Sequence, residues 1–226
     1  MRVIVKTAVE LADREGLEAV SMRRVAEQLE VGTMSLYSHV PGKSELIDLM
    51  TDAAYGELYE HVEQPSTQPG GYREGMRFVA QRYQELYERH PWLLDAPLTR
   101  PVLGPSACMK YEAEVRVLDG IGLSDPEIDS IVALLVLHVQ STARARIADL
   151  RAQQSSGLSE EEWWTTTIPL LLRVRTGSYP VAGRVGPAAG QALQASGGSP
   201  DHLFRFGLEL LCDSVATLIE RRRTGS

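Results

Sequence analysis

Thr33, Ser35, Tyr37 and His39 fall within one short stretch, with Lys43 just beyond them. Hydroxyls and an imidazole this closely spaced make poor core residues, but they suit phosphate oxygens and the edges of bases. Leu36 and Val40, interleaved among them, would hold the segment to a core. Lys43 and the backbone N–H groups after Gly42 put a cation and a positive helix end where a phosphate fits. Arg23 and Arg24 add cations upstream. Nothing comparable points to bond-making chemistry: there is no G-x-S-x-G elbow, no Cys–His pairing signature and no carboxylate constellation. None of the histidines has a second one at i+3 or i+4, so a helix-borne metal pair is absent. Gly183-x-x-Gly186-x-x-x-Gly190 has the wrong spacing for a phosphate loop.

The elements that must position these groups read as helices. Ile4, Val5, Ala8, Leu11 and Ala12 repeat at helical spacing and stop at Gly16, a C-cap. Ser21 is an N-cap for a second helix, Met22 to Leu29, with Val25, Ala26 and Leu29 inside. Val31-Gly32 turns the chain into a third, Thr33 to Val40, which Pro41-Gly42 stops. Two short helices joined by a glycine-containing turn, packed on a preceding helix, form a helix-turn-helix whose second helix can enter a major groove. A longer helix is expected from Lys43 to about Val62.

Residues 63–71, rich in Pro and Gly, read as a linker, so the boundary falls between a DNA-binding domain at 1–62 and a helical domain at 63–226. Beyond it, Met76, Val79, Ala80, Tyr83, Leu86 and Tyr87 keep helical spacing up to His90-Pro91. Capping boxes at Ser124-x-x-Glu127 and Ser159-x-x-Glu162 open further helices, the first running to about Gln153. Residues 176–200 read as a loop, with a short helix at 187–195 as an alternative. A last helix follows Ser199-Pro200-Asp201 and closes on Arg221-Arg222-Arg223, a solvated helix end. The fold class expected is all-α.

Composition argues mildly against a nucleic-acid partner: the net charge is −7, and residues 1–45 carry seven acidic side chains against six basic ones. DNA contact must come from locally arranged donors. No run near 18 apolar residues and no cleavable leader are visible, so a cytoplasmic protein without membrane contact is expected. Cys108 and Cys212 are expected as reduced core residues.

The run Ser21 to Leu46, SMRRVAEQLEVGTMSLYSHVPGKSEL, resembles the TetR family of repressors, with Ala26, Val31-Gly32, Leu36-Tyr37, His39-Val40 and Lys43 at characteristic positions. Phe204 to Leu211, and more loosely Tyr111-Glu112 and the helix from Ser124, are similar to the C-terminal domain of tetracycline repressors. The resemblance implies an Ω-shaped helical homodimer released from operator DNA by a ligand. It implies Arg23, Thr33, Met34 and Ser35 at bases, and Ser21, Tyr37, His39 and Lys43 on the DNA backbone. Tyr83 falls where tetracycline repressors carry a drug-contacting aromatic. Val102 and Ala145 stand where those repressors bind metal, so no cofactor or metal, and no magnesium–tetracycline inducer, is expected. The chain starts almost at its first helix, so a basic minor-groove arm is not expected either.

The candidate pocket residues are Tyr83, Tyr87, Met109, Glu112, His138 and Ser141, lining a site for a partly apolar small molecule. Core packing is the bland reading for most of them, Tyr111, Trp163 and Trp164 included. The helices at 127–150 and 201–222 are expected to form the dimer seam as a four-helix bundle. Two other readings stay open: a DNA-binding activator or co-regulator that senses nothing, and an enzyme using the helical cavity.

Overall fold

The computed structural model describes residues 1–97, 101–157, 162, 165–167, 179–195 and 199–224. Helix α1 (Arg2–Glu15) buries Ile4, Val5, Ala8, Leu11 and Ala12, the stripe its sequence period demands. It ends at Gly16, whose φ of 85° costs a residue without a Cβ nothing. A 3₁₀ turn, Leu17–Ala19, leads to α2 (Met22–Gln28). The Ser21 hydroxyl caps α2 by accepting the Arg24 N–H at 3.2 Å. Helices α3 (Thr33–Tyr37) and α4 (Lys43–Tyr55) follow. Then come α5 (Tyr72–Arg89), a 3₁₀ turn at Pro91–Leu94, α6 (Pro105–Val115), α7 (Asp125–Ser156), α8 (Pro180–Ala195) and α9 (Ser199–Thr224); no strand occurs among the described residues.

Helix α3 is shorter than expected, ending at Tyr37, yet Val40 is fully buried and still anchors its exit. Helix α4 stops at Tyr55 instead of near Val62. The reason is tertiary: the Arg82 guanidinium on α5 donates to the carbonyls of Leu58 and Glu57 at 2.7 and 2.8 Å, drawing the chain off the helical path while Leu58 and Tyr59 bury. The 63–71 segment is a series of hydrogen-bonded turns, in which Ser66, Thr67 and Gln68 donate to the carbonyls of Glu63 and Gln64.

Packing divides the chain into two compact units, Met1–Gln140 with Cys212–Ser226, and Ser141–Leu211. In the first, α1 packs on α4 and α4 on α6. Its core holds Leu11, Leu36, Leu46, Met50, Met76, Tyr83, Leu86, Trp92 and Leu118. Each such aliphatic side chain contributes about 2 kcal/mol by leaving water. The expected capping box at the start of α7 forms, with the Ser124 N–H and hydroxyl both donating to Glu127 Oε2 at 2.8 Å. Arg222 on α9 reaches that carboxylate at 3.0 Å. In the second unit Arg146 on α7 pairs with Asp201 on α9 at 2.9 Å.

Two expectations are corrected. Residues 180–195 form a helix where a loop with at most a short helix was read; an alanine-rich stretch and Pro180 in the first turn outweigh its glycines and the internal Pro187. Cys212 is buried, but Cys108 is exposed on the outer side of α6. Helix α7 contains, within Asp125–Ser155, an 18-residue window with a mean hydropathy of 1.3, a length and composition that a core helix shares with a membrane span, without an unbroken apolar run near 18 residues. The box at Ser159, with Trp163 and Trp164, lies outside the described residues.

Candidate nucleic-acid interface and ligand site

The short α3 presents one side only to the core. Leu36 is 1% exposed, whereas Met34 is 80% and Tyr37 46% exposed, and Ser35 and His39 also face outward. Thr33 is half-buried, and Lys43 is exposed in the first turn of α4, next to the extended Gly42. Among the described residues, the side chains of Thr33, Ser35, Tyr37, His39 and Lys43 make no hydrogen bond or ion pair, so their donors face water. The other two candidates are engaged: the Ser21 oxygen caps α2, and Arg23 Nε donates to Glu27 Oε1 at 2.7 Å. Arg24 is structural, donating to Glu15 at 2.7 Å and to the Ala19 carbonyl, and so locks α2 to the end of α1.

Two polar joints tie these helices to those that follow. Asp52 on α4 accepts the Ala107 N–H at 2.8 Å, an N-cap for α6 supplied from another helix. A Cβ at Gly104 would collide with that carboxylate, so glycine is required for the approach. At the second joint Asp13 Oδ1 on α1 accepts from Trp92 Nε1 at 2.8 Å and lies 2.7 Å from His90 Nδ1. The other ring nitrogen of the buried His90 faces Glu57, which also pairs with Arg89. Sequence reading missed both joints, because no local pattern marks a side chain that caps an element far along the chain.

The structure brings Tyr83 and Tyr87 together in the core, ring centroids 5.8 Å apart. The carboxylate that reaches this aromatic group is Glu114, not Glu112: helical register turns Glu112 outward to Arg116 and buries Glu114 to 1% exposure. Glu114 accepts from the Tyr59 hydroxyl at 3.1 Å and from Lys110 Nζ at 3.0 Å. The Lys110 ammonium lies over the rings of Tyr55 and Tyr83, 5.3 and 5.6 Å from their centroids. Burial, reinforced by the Glu114 charge, pushes the Tyr55 phenol up to about 12 and those of Tyr59 and Tyr83 well above the usual range. The Tyr83 hydroxyl is buried without a hydrogen-bond partner among the described residues.

Met109 and His138 are half-buried. Ser141 is exposed, and the polar residue that α7 buries beside it is Thr142. A void of about 10 Å³, room for about one water, lies among Met76, Val79, Glu114, Val117, Leu118, Ile131, Val132 and Leu135. Among the described residues no cluster of His, Cys, Asp or Glu could hold a metal ion.

A helix-turn-helix with an outward-facing polar recognition helix, joined to a helical domain with a buried polar cluster, defines a ligand-responsive transcription regulator. The chain matches the family described as bacterial regulatory proteins, tetR family, over residues 4–50, and the tetracyclin repressor-like C-terminal domain over residues 64–219. It belongs to the TetR family. It is 39% identical to the HTH-type transcriptional repressor DrrR1 of Streptomyces coeruleorubidus, over 97% of this chain and 78% of that protein. An HTH-type transcriptional regulator of Saccharopolyspora erythraea is 31% identical over 85% of this chain and 77% of its own length. Among solved structures, the Streptomyces coelicolor TetR family protein ActR in complex with (S)-DNPA is 28% identical, with a TM-score of 0.74 and 95% of each chain covered. These relatives are transcriptional regulators, not enzymes. Regulators of this family bind operator DNA, dimerise and take small-molecule ligands.

Proposed function

We propose that the protein is a homodimeric repressor that leaves a pseudo-palindromic operator when a partly apolar small molecule enters the helical domain. Residues 1–62 serve as the DNA-binding module and 63–226 as the sensing and dimerising one, a division supported by the ranges of the two family matches. Because its target is chromosomal DNA, it acts in the cytoplasm. The observation that carries the reading is the outward-facing set Thr33, Ser35, Tyr37, His39 and Lys43, held by Leu36 and Val40 and without side-chain hydrogen bonds or ion pairs among the described residues. In a dimer, two such helices enter successive major grooves. Met34, Ser35, Thr33 and Arg23 meet base edges, while Tyr37, His39, Lys43 and the Ser21 hydroxyl meet phosphates.

The dimer seam draws on exposed apolar side chains of α7 and of α9. Leu134 and Leu137 on α7 and Leu203, Phe206 and Leu210 on α9 are each 47–59% exposed in the single chain. Only 28% of the apolar α7 window is buried, and a second copy supplies the cover that water does not favour.

For the ligand site, Tyr83 and Tyr87 with Lys110 and Glu114 provide an aromatic and polar anchor, and the ligand-bound ActR structures, one with actinorhodin, support an organic inducer. The void beside Glu114 among the described residues is about 10 Å³, so a ligand that takes this place would have to move a lining helix. Helix α6 carries both Lys110 and Glu114, and its N-terminus is bonded to Asp52 of α4. Displacing α6 therefore displaces α4, whose first turn holds Lys43. Ligand favours a conformer with misplaced recognition helices, and affinity falls by linkage alone. In a gel shift, Tyr37→Ala and Lys43→Ala should each weaken operator binding while sedimentation shows an intact dimer. Unchanged affinity in both refutes the docking.

A further inference from the structure

The recognition helix α3 offers Thr33, Met34, Ser35, Leu36 and Tyr37, and none of these can make the paired hydrogen bonds that identify a purine. In the major groove guanine presents O6 and N7 as adjacent acceptors, matched by the two parallel donors of a guanidinium; adenine is matched by an amide. Single hydroxyls tolerate several bases. The exposed Met34 suits the methyl group of thymine. Guanine identity must then be read from outside α3, and the group available is Arg23 in the first turn of α2.

The Arg23 side chain is 82% exposed, and its Nε donates to Glu27 Oε1 at 2.7 Å one turn later. That bond occupies one edge of the guanidinium. The two terminal nitrogens, a complete fork, make no other contact among the described residues. An exposed i, i+4 pair with the acid on the C-terminal side adds little to helix stability. A carboxylate on a DNA-facing surface also opposes phosphate attraction. Stability and affinity therefore both fail to account for Glu27 at this place, whereas orientation does.

Resting on the docking proposed above, we infer that Glu27 is a positioning residue that holds Arg23 with its terminal fork presented to one guanine in each half-site. Fixing the guanidinium beforehand lowers the side-chain freedom lost on docking. It also restricts the fork to one base position. Glu27 acts through Arg23 and needs no contact with DNA itself.

The test selects duplexes from a random-sequence library with the full-length protein and with Arg23→Ala, Glu27→Gln and Glu27→Ala, followed by competition between duplexes differing at the selected guanine. The wild type should prefer guanine there roughly 10- to 100-fold, and Arg23→Ala should abolish the preference. Glu27→Ala should cut it about threefold, the weight of an exposed charged pair, and Glu27→Gln less, because its amide oxygen still accepts. Total affinity in both Glu27 variants should stay level or rise, since a negative charge is gone. Uniformly tighter binding with the guanine preference intact would overturn the positioning role and leave the docking standing. A guanine preference that survives Arg23→Ala would overturn both.

Discussion

Removing one partner of the buried Lys110–Glu114 pair should be far more damaging than removing both. The ions are 3.0 Å apart, and their side chains are 16% and 1% exposed. At an effective dielectric of about 20 their attraction is about 5 kcal/mol, set against a desolvation penalty of several kcal/mol for each ion. The pair thus comes close to breaking even, while either ion alone keeps its penalty without the attraction. Lys110→Met strands a carboxylate with no route to solvent and should cost about 4 kcal/mol. Glu114→Leu leaves an ammonium that can still reach water along its flexible stem, and should cost about 3 kcal/mol. The double variant should cost only about 1–2 kcal/mol, mostly for the Tyr59 hydroxyl that loses its acceptor. Urea unfolding of all four proteins at neutral pH, followed by circular dichroism, measures the cycle. A double variant whose cost equals the two single costs together would refute the reasoning and mean that the two ions are independently solvated.

The same cluster makes stability depend on alkaline pH. Tyr55 is pushed up from 10.0 to about 12, so the native state keeps a proton that the unfolded chain releases. Stability is flat with respect to this group below pH 10 and falls by up to about 3 kcal/mol as pH rises towards 12; a Tyr55→Phe variant should lack this part of the decline in urea midpoints. Asp52→Ala removes the cap of α6 and should cost about 1 kcal/mol. It should also change operator affinity in a gel shift without dissociating the dimer; equal affinity would separate α6 from DNA binding. Leu137→Glu together with Phe206→Glu buries charges in the proposed seam and should yield monomers by sedimentation. With Lys43 as the phosphate-facing cation of each of two protomers, log affinity should fall against log salt with a slope of about −2; a much steeper slope would require cations beyond these.

Local pattern was legible where local physics decides. The inner face of α1, the Ser21 cap, the α5 stripe and the box at Ser124 are all contacts within a few turns of one helix, and periodicity or spacing reveals them. The end of α4 was not legible, since Gly56 to Val62 is a passable helix in isolation and is redirected by Arg82, an α5 residue. Glu112 was singled out for its place in a motif, but register on α6 belongs to Glu114, and only the packing of α5 and α7 against that helix fixes which glutamate turns inward. The outward faces of α3 followed from residue type alone. The Asp52 and Asp13 joints involve partners more than fifty positions apart, and such pairs leave no mark on a single sequence.

The acidic composition, which counts against a nucleic-acid partner, is reconciled with DNA binding by where the charges go. In the first helices four of the seven acids are engaged internally: Glu10 pairs with Lys6, Glu15 with Arg14 and Arg24, Glu27 with Arg23, and Asp13 bonds Trp92 and His90, while Glu18, Glu30 and Glu45 form no ion pair among the described residues. These pairs neutralise part of both signs near the proposed docking surface, and among the described residues the unpaired groups of α3 and the start of α4 are neutral hydroxyls, an imidazole, Lys43 and the exposed Glu45. A surface of this kind should gain little from the general attraction between cations and phosphates, so weak non-specific binding is the expected outcome. Affinity then depends on hydrogen bonds that form only when the recognition helix is correctly seated. In the proposed mechanism a small displacement of α4, transmitted from α6 through Asp52, would be enough to lose them, because little sequence-independent attraction would hold a misaligned dimer on DNA.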